Sequence, residues 1–177
     1  MLVTAAGSAL LLVDFQQRLM PAIHEGDAVV ANAVRLAEGA GLLQVPVCAT
    51  EQNPTGLGPT VEALAAYPQM VLPKMSFGAA GEPGFATLLP PNTEEIVVAG
   101  CEAHVCVLQT VLGLLAARHR VLVVADAIGS RVPSNKDAAV DRMVRHGAEI
   151  VTTEMVLFEW LRDAHHPQFR AVHKLIR

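Results

Sequence analysis

Six short runs rich in aliphatic residues constrain the fold of this chain more than any other feature. They are Ala9–Val13, Val45–Ala49, Met70–Leu72, Ile96–Ala99, Val121–Ala125 and Glu149–Val151. A strand with one face in water alternates apolar and polar residues. These runs do not alternate, as expected of parallel strands buried on both faces. Helical patterns lie between them. Asp27 stands where a cap would precede Ala28–Leu42, with Val30, Val34, Ala37 and Gly41 on one stripe. Thr60 stands before Val61–Ala66, and Val105–Ala117 is a continuous apolar helix pattern. Ser134 and Asp137 have capping-box spacing before Ala138–His146, and Thr153 precedes Glu154–Arg162. The alternation predicts an α/β fold: a doubly wound parallel sheet between two helical layers, as a single domain over residues 1–177.

Composition narrows the function. Charged residues are 17% of the 177, against a typical ~25%. The AVILMFWYC class is 52% while aromatics are 4%, so the apolar content is Ala, Val and Leu. That excludes disorder, and it exceeds what one small core consumes. Net charge is −4 with no run of Lys or Arg, which argues against nucleic acid as a partner. The apolar start of the chain has no preceding basic residue and is broken at Asp14, unlike a secretory leader. The apolar stretch Val105–Ala117 falls short of the ~20 residues that span a bilayer. Three cysteines make no disulfide framework. The expectation is a cytoplasmic protein with no membrane partner.

Doubly wound sheets bind ligands outside the carboxyl ends of their strands. The residues to inspect are therefore Asp14, Glu51, Lys74, the Gly100–Cys106 segment and Asp126. Asp14 ends a buried strand, either as a base or as a turn residue. Lys74 ends another, either paired with Asp14 or extended to water. Cys106 opens a helix, where the dipole and free N–H groups favour thiolate and can hold an oxyanion; the other reading is a structural thiol. Cys48 and Cys101 read as structural. The Gly- and Pro-rich loops Asn53–Pro59 and Gly78–Gly84 are candidate rims of a site. No Gly-x-Gly-x-x-Gly or P-loop is present, and Cys101, His104 and Cys106 do not have zinc-site spacing.

Three segments together resemble the isochorismatase-like cysteine hydrolase family: Leu12-Val-Asp14-Phe-Gln16, Leu72-Pro-Lys74-Met-Ser-Phe77, and Val98-Ala-Gly-Cys-Glu-Ala-His-Val-Cys106-Val-Leu-Gln-Thr110. Cys48-Ala-Thr-Glu-Gln-Asn-Pro-Thr-Gly-Leu-Gly-Pro59 is similar to the branch of YcaC-like hydrolases and isochorismatase domain-containing proteins. The resemblance implies strand order 3-2-1-4-5-6 and a catalytic triad of Asp14, Lys74 and Cys106. It implies an oxyanion hole from the backbone N–H groups of Glu102 and Cys106, with a cis peptide between Cys101 and Glu102. It places Phe15, Gln16 and Phe77 at the substrate, and implies a homo-oligomer: dimer, tetramer or octamer. Nicotinamidases of this family carry a metal-binding Asp-x-His where this chain has Gln52-Asn53-Pro54, so no metal or other cofactor is expected. True isochorismatases have Gly in place of Cys106. The expected activity is therefore hydrolysis of an amide-type C–N bond in a small molecule. Two readings from other classes are a non-catalytic oligomeric scaffold or binding protein, and a redox sensor in which Cys101 resolves Cys106.

Overall fold

A computed structural model describes all of residues 1–177. The six runs become β1 (Ser8–Val13), β2 (Val47–Gln52), β3 (Met70–Lys74), β4 (Glu95–Cys101), β5 (Arg120–Gly129) and β6 (Glu149–Val151). They form one parallel sheet in the order β3-β2-β1-β4-β5-β6. Every residue of β1 and β4 is buried, which is why neither run needed a polar side. Leu10 and Leu12, with Val97, Ala99 and Cys101, face one core. Leu11 and Val13, with Ile96 and Val98, face the other.

The first core is closed by α1 (Gly26–Leu42), with α2 (Pro54–Leu57) and α3 (Glu62–Ala65) as single turns in the loop after β2. The second is closed by α4 (Phe85–Leu88), α5 (Leu108–Ala116) and α6 (Pro133–Arg145). The chain then returns to the α1 side with α7 (Thr153–Leu161) and α8 (Phe169–Leu175). No helix is long and apolar enough to cross a membrane.

Several boundaries differ from the sequence expectation, each for a local reason. Asp27 lies in the first turn of α1, not at its cap; the chain enters through Glu25 in a left-handed conformation (φ 52°). Thr60 does not cap a helix, because its hydroxyl donates to the Glu51 carboxylate at 2.8 Å. Helix α6 starts at Pro133, whose missing N–H suits the first position, so Ser134 lies inside it. Thr152, not Thr153, caps α7, accepting from the Met155 N–H at 3.3 Å. Asp126 lies within β5 rather than ending it. Its Oδ1 accepts from the N–H and hydroxyl of Thr153, at 2.8 and 3.0 Å, which pins the start of α7. Helix α8, absent from the sequence reading, buries Val172 completely.

The strand order reverses between β1 and β4. There Val13 pairs with Gly100, whose φ is +149°. A Cβ on Gly100 would lie 2.2 Å from the Val13 carbonyl oxygen, so only glycine permits this approach. At the opposite end of the sheet Arg120 pairs with Glu95 and Glu149 and donates to the Met1 carbonyl, tying the N-terminal segment down.

Candidate active site

The carboxyl ends of β1, β3 and β4 meet at this reversal. Asp14 follows β1 with φ 52°, a left-handed conformation that Asp tolerates better than most residues. Its side chain is fully buried. The Lys74 ammonium, also fully buried, donates to Asp14 Oδ2 at 2.7 Å. Its two other bonds go to the carbonyls of Ser76 (3.2 Å) and Phe77 (2.8 Å). An ammonium has three protons, so this one is saturated by the protein. Lys74 therefore holds the carboxylate and the loop after β3 together, and no donor is left for anything else.

Cys106 lies in a π-helical turn, Ala103–Val107, that interrupts the continuous helix expected from sequence. The Val107 N–H reaches back five residues to the Glu102 carbonyl at 3.2 Å. The extra residue in this turn re-aims the Cys106 side chain, a common use of such bulges. Cys106 is 7% exposed, and its thiol lies within reach of the Asp14 charge, which raises it. The structure thus brings Asp14, Lys74 and Cys106 together.

The thiol is not poised as thiolate, which corrects the expectation from its place at the head of a helix. Burial first, and then the charge of Asp14, push it up to about 12. Lys74 opposes this but does not win. Burial raises Cys101 to about 12 and Cys48 to about 11 as well. Cys48 donates to the Leu88 carbonyl at 2.9 Å. Cys101 belongs to the α1-side core and Cys106 to the other, so the sheet's two faces separate them.

The Cys101–Glu102 peptide is cis. The Glu102 side chain accepts from the Arg131 N–H and guanidinium, both at 3.0 Å. Burial works to raise this carboxyl, but the bonds and charge of Arg131 outweigh it and hold it below the usual carboxylate range. His104 Nδ1 lies 3.0 Å from Ser130 Oγ. No three His, Cys, Asp or Glu side chains are placed to hold a metal ion.

The remaining candidates are placed differently. Phe15 is 1% exposed and packs into the α1-side core, on the other side of the sheet from Cys106. Gln16 spends its whole amide on loop backbone, donating to the carbonyls of Gln52 (2.9 Å) and Gly58 (2.7 Å) and accepting from the Gln52 N–H. Phe77 is 51% exposed, and its carbonyl is one of the two bound to Lys74. Both candidate rim loops are anchored, the second through the Ala79 N–H on Thr110 Oγ1 at 3.0 Å. Sequence reasoning missed Thr50, whose hydroxyl donates to Asp14 Oδ1 at 2.6 Å. A polar residue following Val47-Cys-Ala49 and opposite Val13 in register was the available signal. It also missed the pairing of Arg131 with Glu102, to which nothing in the local sequence points.

Residues 8–155 match the model of the isochorismatase domain. The chain is 37% identical over 171 residues to isochorismatase domain-containing protein 2 of Danio rerio, covering 96% of this chain and 87% of that one. Among solved structures, the MAR1 ribonuclease of Caenorhabditis elegans superposes with a TM-score of 0.92 at 32% identity, covering 99% and 92% of the two chains. YcaC from Pseudomonas aeruginosa, solved with hexane-2,5-diol and covalent acrylamide, gives 0.89 at 26% identity over 98% and 91%. The Escherichia coli YcaC product, an octameric hydrolase of unknown specificity, gives 0.85 at 25% over 98% and 95%. With the fold, the strand order and a domain match over most of its length in agreement, this chain belongs to the isochorismatase-like hydrolase family.

Proposed function

We propose that this protein hydrolyses an amide-type C–N bond of a small molecule through a covalent intermediate on Cys106. One observation carries the reading: a buried cysteine thiol under the influence of a buried carboxylate whose counter-ion is a saturated lysine. A lone structural thiol needs neither partner. As Sγ attacks the carbonyl carbon, its proton passes to Asp14, so no free thiolate forms in the resting protein. Lys74 stays charged and steadies both the carboxylate and the developing sulfur charge. The Glu102 N–H has no protein acceptor, which suits it, with the Cys106 N–H, to receive the oxyanion. Collapse breaks the C–N bond, and the amine leaves with the proton held by Asp14. Asp14 then takes a proton from water as it attacks the thioester; the C–S bond breaks, Asp14 returns that proton to Sγ, and the acid departs. Phe77 walls the substrate, while Gln16 fixes the loop after β2 and Phe15 supports Asp14 from the opposite core.

The step is metal-independent because the residues at the family's metal position are poor ligands. Gln52 is tied to the Met75 carbonyl at 3.0 Å, and Asn53 and Pro54 offer no carboxylate or imidazole. Covalent acrylamide on the Pseudomonas YcaC shows that relative reacting with a small amide-bearing electrophile, which supports a nucleophile in this fold. A net charge of −4 offers little to a phosphate backbone, which favours a small molecule over RNA despite the name of the nematode relative. The same reading makes the working form a cytoplasmic homo-oligomer. The octameric relative supports this, as do Met70, Val71, Met75 and Phe77, all exposed on or just after edge strand β3. Sedimentation as a monomer at micromolar concentration overturns the oligomer. The activity is tested with a panel of small amides, nitriles and esters on wild type and Cys106→Ala. Turnover by wild type alone supports the mechanism; equal turnover by both sinks it.

A further inference from the structure

The Asp14 carboxylate is held at two points, and only one of them is the lysine. Lys74 Nζ fixes Oδ2 at 2.7 Å; the Thr50 hydroxyl fixes Oδ1 at 2.6 Å. Thr50 is fully buried in β2, and no other hydrogen bond of its hydroxyl is formed. A carboxylate held by one oxygen pivots about that contact, whereas two contacts define its plane. The plane determines which lone pair faces Cys106 Sγ.

From this we infer that Thr50 is a positioning residue for the reaction at Cys106: its hydroxyl orients Asp14 so that the thiol proton is delivered in line. The inference rests on the reading of Cys106 as nucleophile and Asp14 as its base. Thr50 touches neither the sulfur nor a substrate, and it gives up no proton. It donates to Asp14 before and after Asp14 is protonated, because the incoming proton takes the lone pair facing sulfur.

The geometry also fixes a sign. A carboxylate that simply loses a donor becomes the stronger base, which would hasten removal of the thiol proton. A carboxylate that loses its orientation does the opposite. Thr50→Val keeps the shape and β-branching of the side chain while deleting the hydroxyl, and Thr50→Ser keeps the hydroxyl while deleting the methyl. The readout is the second-order rate of iodoacetamide alkylation of Cys106 at pH 7.5, followed by mass spectrometry, with melting curves confirming that each variant is folded. Loss of a positioned proton acceptor predicts alkylation slower by about tenfold or more in Thr50→Val, and within about threefold of wild type in Thr50→Ser. Thr50→Ala serves as the hydroxyl-free variant if Val prevents folding. Folded Thr50→Val or Thr50→Ala reacting at the wild-type rate or faster overturns the inference, as does Thr50→Ser reacting as slowly as they do. Failure of the underlying reading looks different: wild-type Cys106 would then be alkylated no faster than Cys48 and Cys101.

Discussion

Replacing Lys74 with Met tests what holds the centre of this site. The Met side chain follows the path of the lysine stem, so packing is largely kept and the charge is removed. The ion pair is 2.7 Å long with both side chains fully buried. At an effective dielectric near 20, two unit charges at that distance attract by about 6 kcal/mol. Two further hydrogen bonds, to the Ser76 and Phe77 carbonyls, are lost with the ammonium. Against this, the variant no longer has to strip water from a cation. Removing one partner of a buried pair generally leaves a net loss of about 3–5 kcal/mol, because the other charge stays buried and uncompensated. For a chain of this size that corresponds to a fall in Tm of roughly 6–20 °C. The double variant Asp14→Asn/Lys74→Met removes both charges, and Asn tolerates the left-handed backbone at position 14 and can still accept from Thr50. It is expected to regain at least half of that loss. Urea and thermal unfolding at one fixed protein concentration measure both variants, since any self-association makes stability concentration-dependent. Lys74→Met within about 1 kcal/mol of wild type would refute the argument. So would a double variant as unstable as the single one, which would mean that Lys74 acts through packing and its carbonyl contacts rather than its charge.

Three other perturbations have expected outcomes. The buried thiols titrate higher in the folded chain, at about 11 for Cys48 and about 12 for Cys101, so the unfolded chain holds fewer protons above pH 9. Stability is therefore fully present below pH 9 and falls as pH rises toward those values, by on the order of 1 kcal/mol per thiol at pH 10; Cys48→Ala should flatten the fall in urea midpoint between pH 7.5 and 10. Glu102 titrates lower in the folded chain through Arg131, so their contact stabilises above the ordinary carboxylate range and is lost as pH falls below it. Arg131→Met should then show a smaller drop in Tm from pH 6 to pH 4 than wild type, and an unchanged drop would break the link. Gly100→Ala should fail to fold or lose most of its stability, because its Cβ meets the Val13 backbone at 2.2 Å. Gly39→Ala should be milder, because its Cβ meets the movable end of Leu157 at the same distance; equal melting temperatures for the two would contradict this.

How much was legible in the sequence follows from what kind of interaction fixed each feature. The central strands were legible because burial on both faces demands continuous apolar runs; edge strand β3 was found by the same pattern although it is largely exposed rather than buried as expected, and Glu149–Val151 came out with its observed limits. Strand ends were less so. β5 continues to Gly129 through a register shift opposite Val98–Gly100, and that irregularity depends on how β4 packs, not on the residues of β5 alone. Helix starts were misplaced where a side chain able to cap had a stronger tertiary partner, as when Thr60 bonds Glu51 instead of its own helix. Asp14 and Lys74 were legible as a candidate pair because each is a charge at the carboxyl end of an apolar strand, and two such charges are stable when buried there only together. Thr50, Arg131 and the loop contacts of Gln16 were not, because each depends on a partner between 29 and 42 residues away, where no local pattern points to it.

The thiol shows most clearly where a local rule gives way. Its position after β4 and at the start of a helical segment favours thiolate, and sequence shows only that position. The structure adds two opposing facts: the sulfur is almost out of water, and the charge that acts on it most strongly is the Asp14 carboxylate. Both act on the full charge of the thiolate, whereas the helix end contributes a partial charge, so they prevail. Cys106 is thereby kept as a thiol until an electrophile arrives. On the mechanism proposed above, the Asp14 charge that suppresses ionisation at rest is the same group that accepts the proton when sulfur attacks, and Lys74 then neutralises whichever of the two is anionic. A site built this way discriminates by requiring bond formation and proton transfer together. Proton transfer to the ionised Asp14 needs no hydroxide, so the alkylation rate should stay nearly flat between pH 7 and 9, although the thiol itself is pushed up to about 12. A rise of about tenfold per pH unit across that range in wild type would mean that free thiolate is the attacking species, and that Asp14 has some other role.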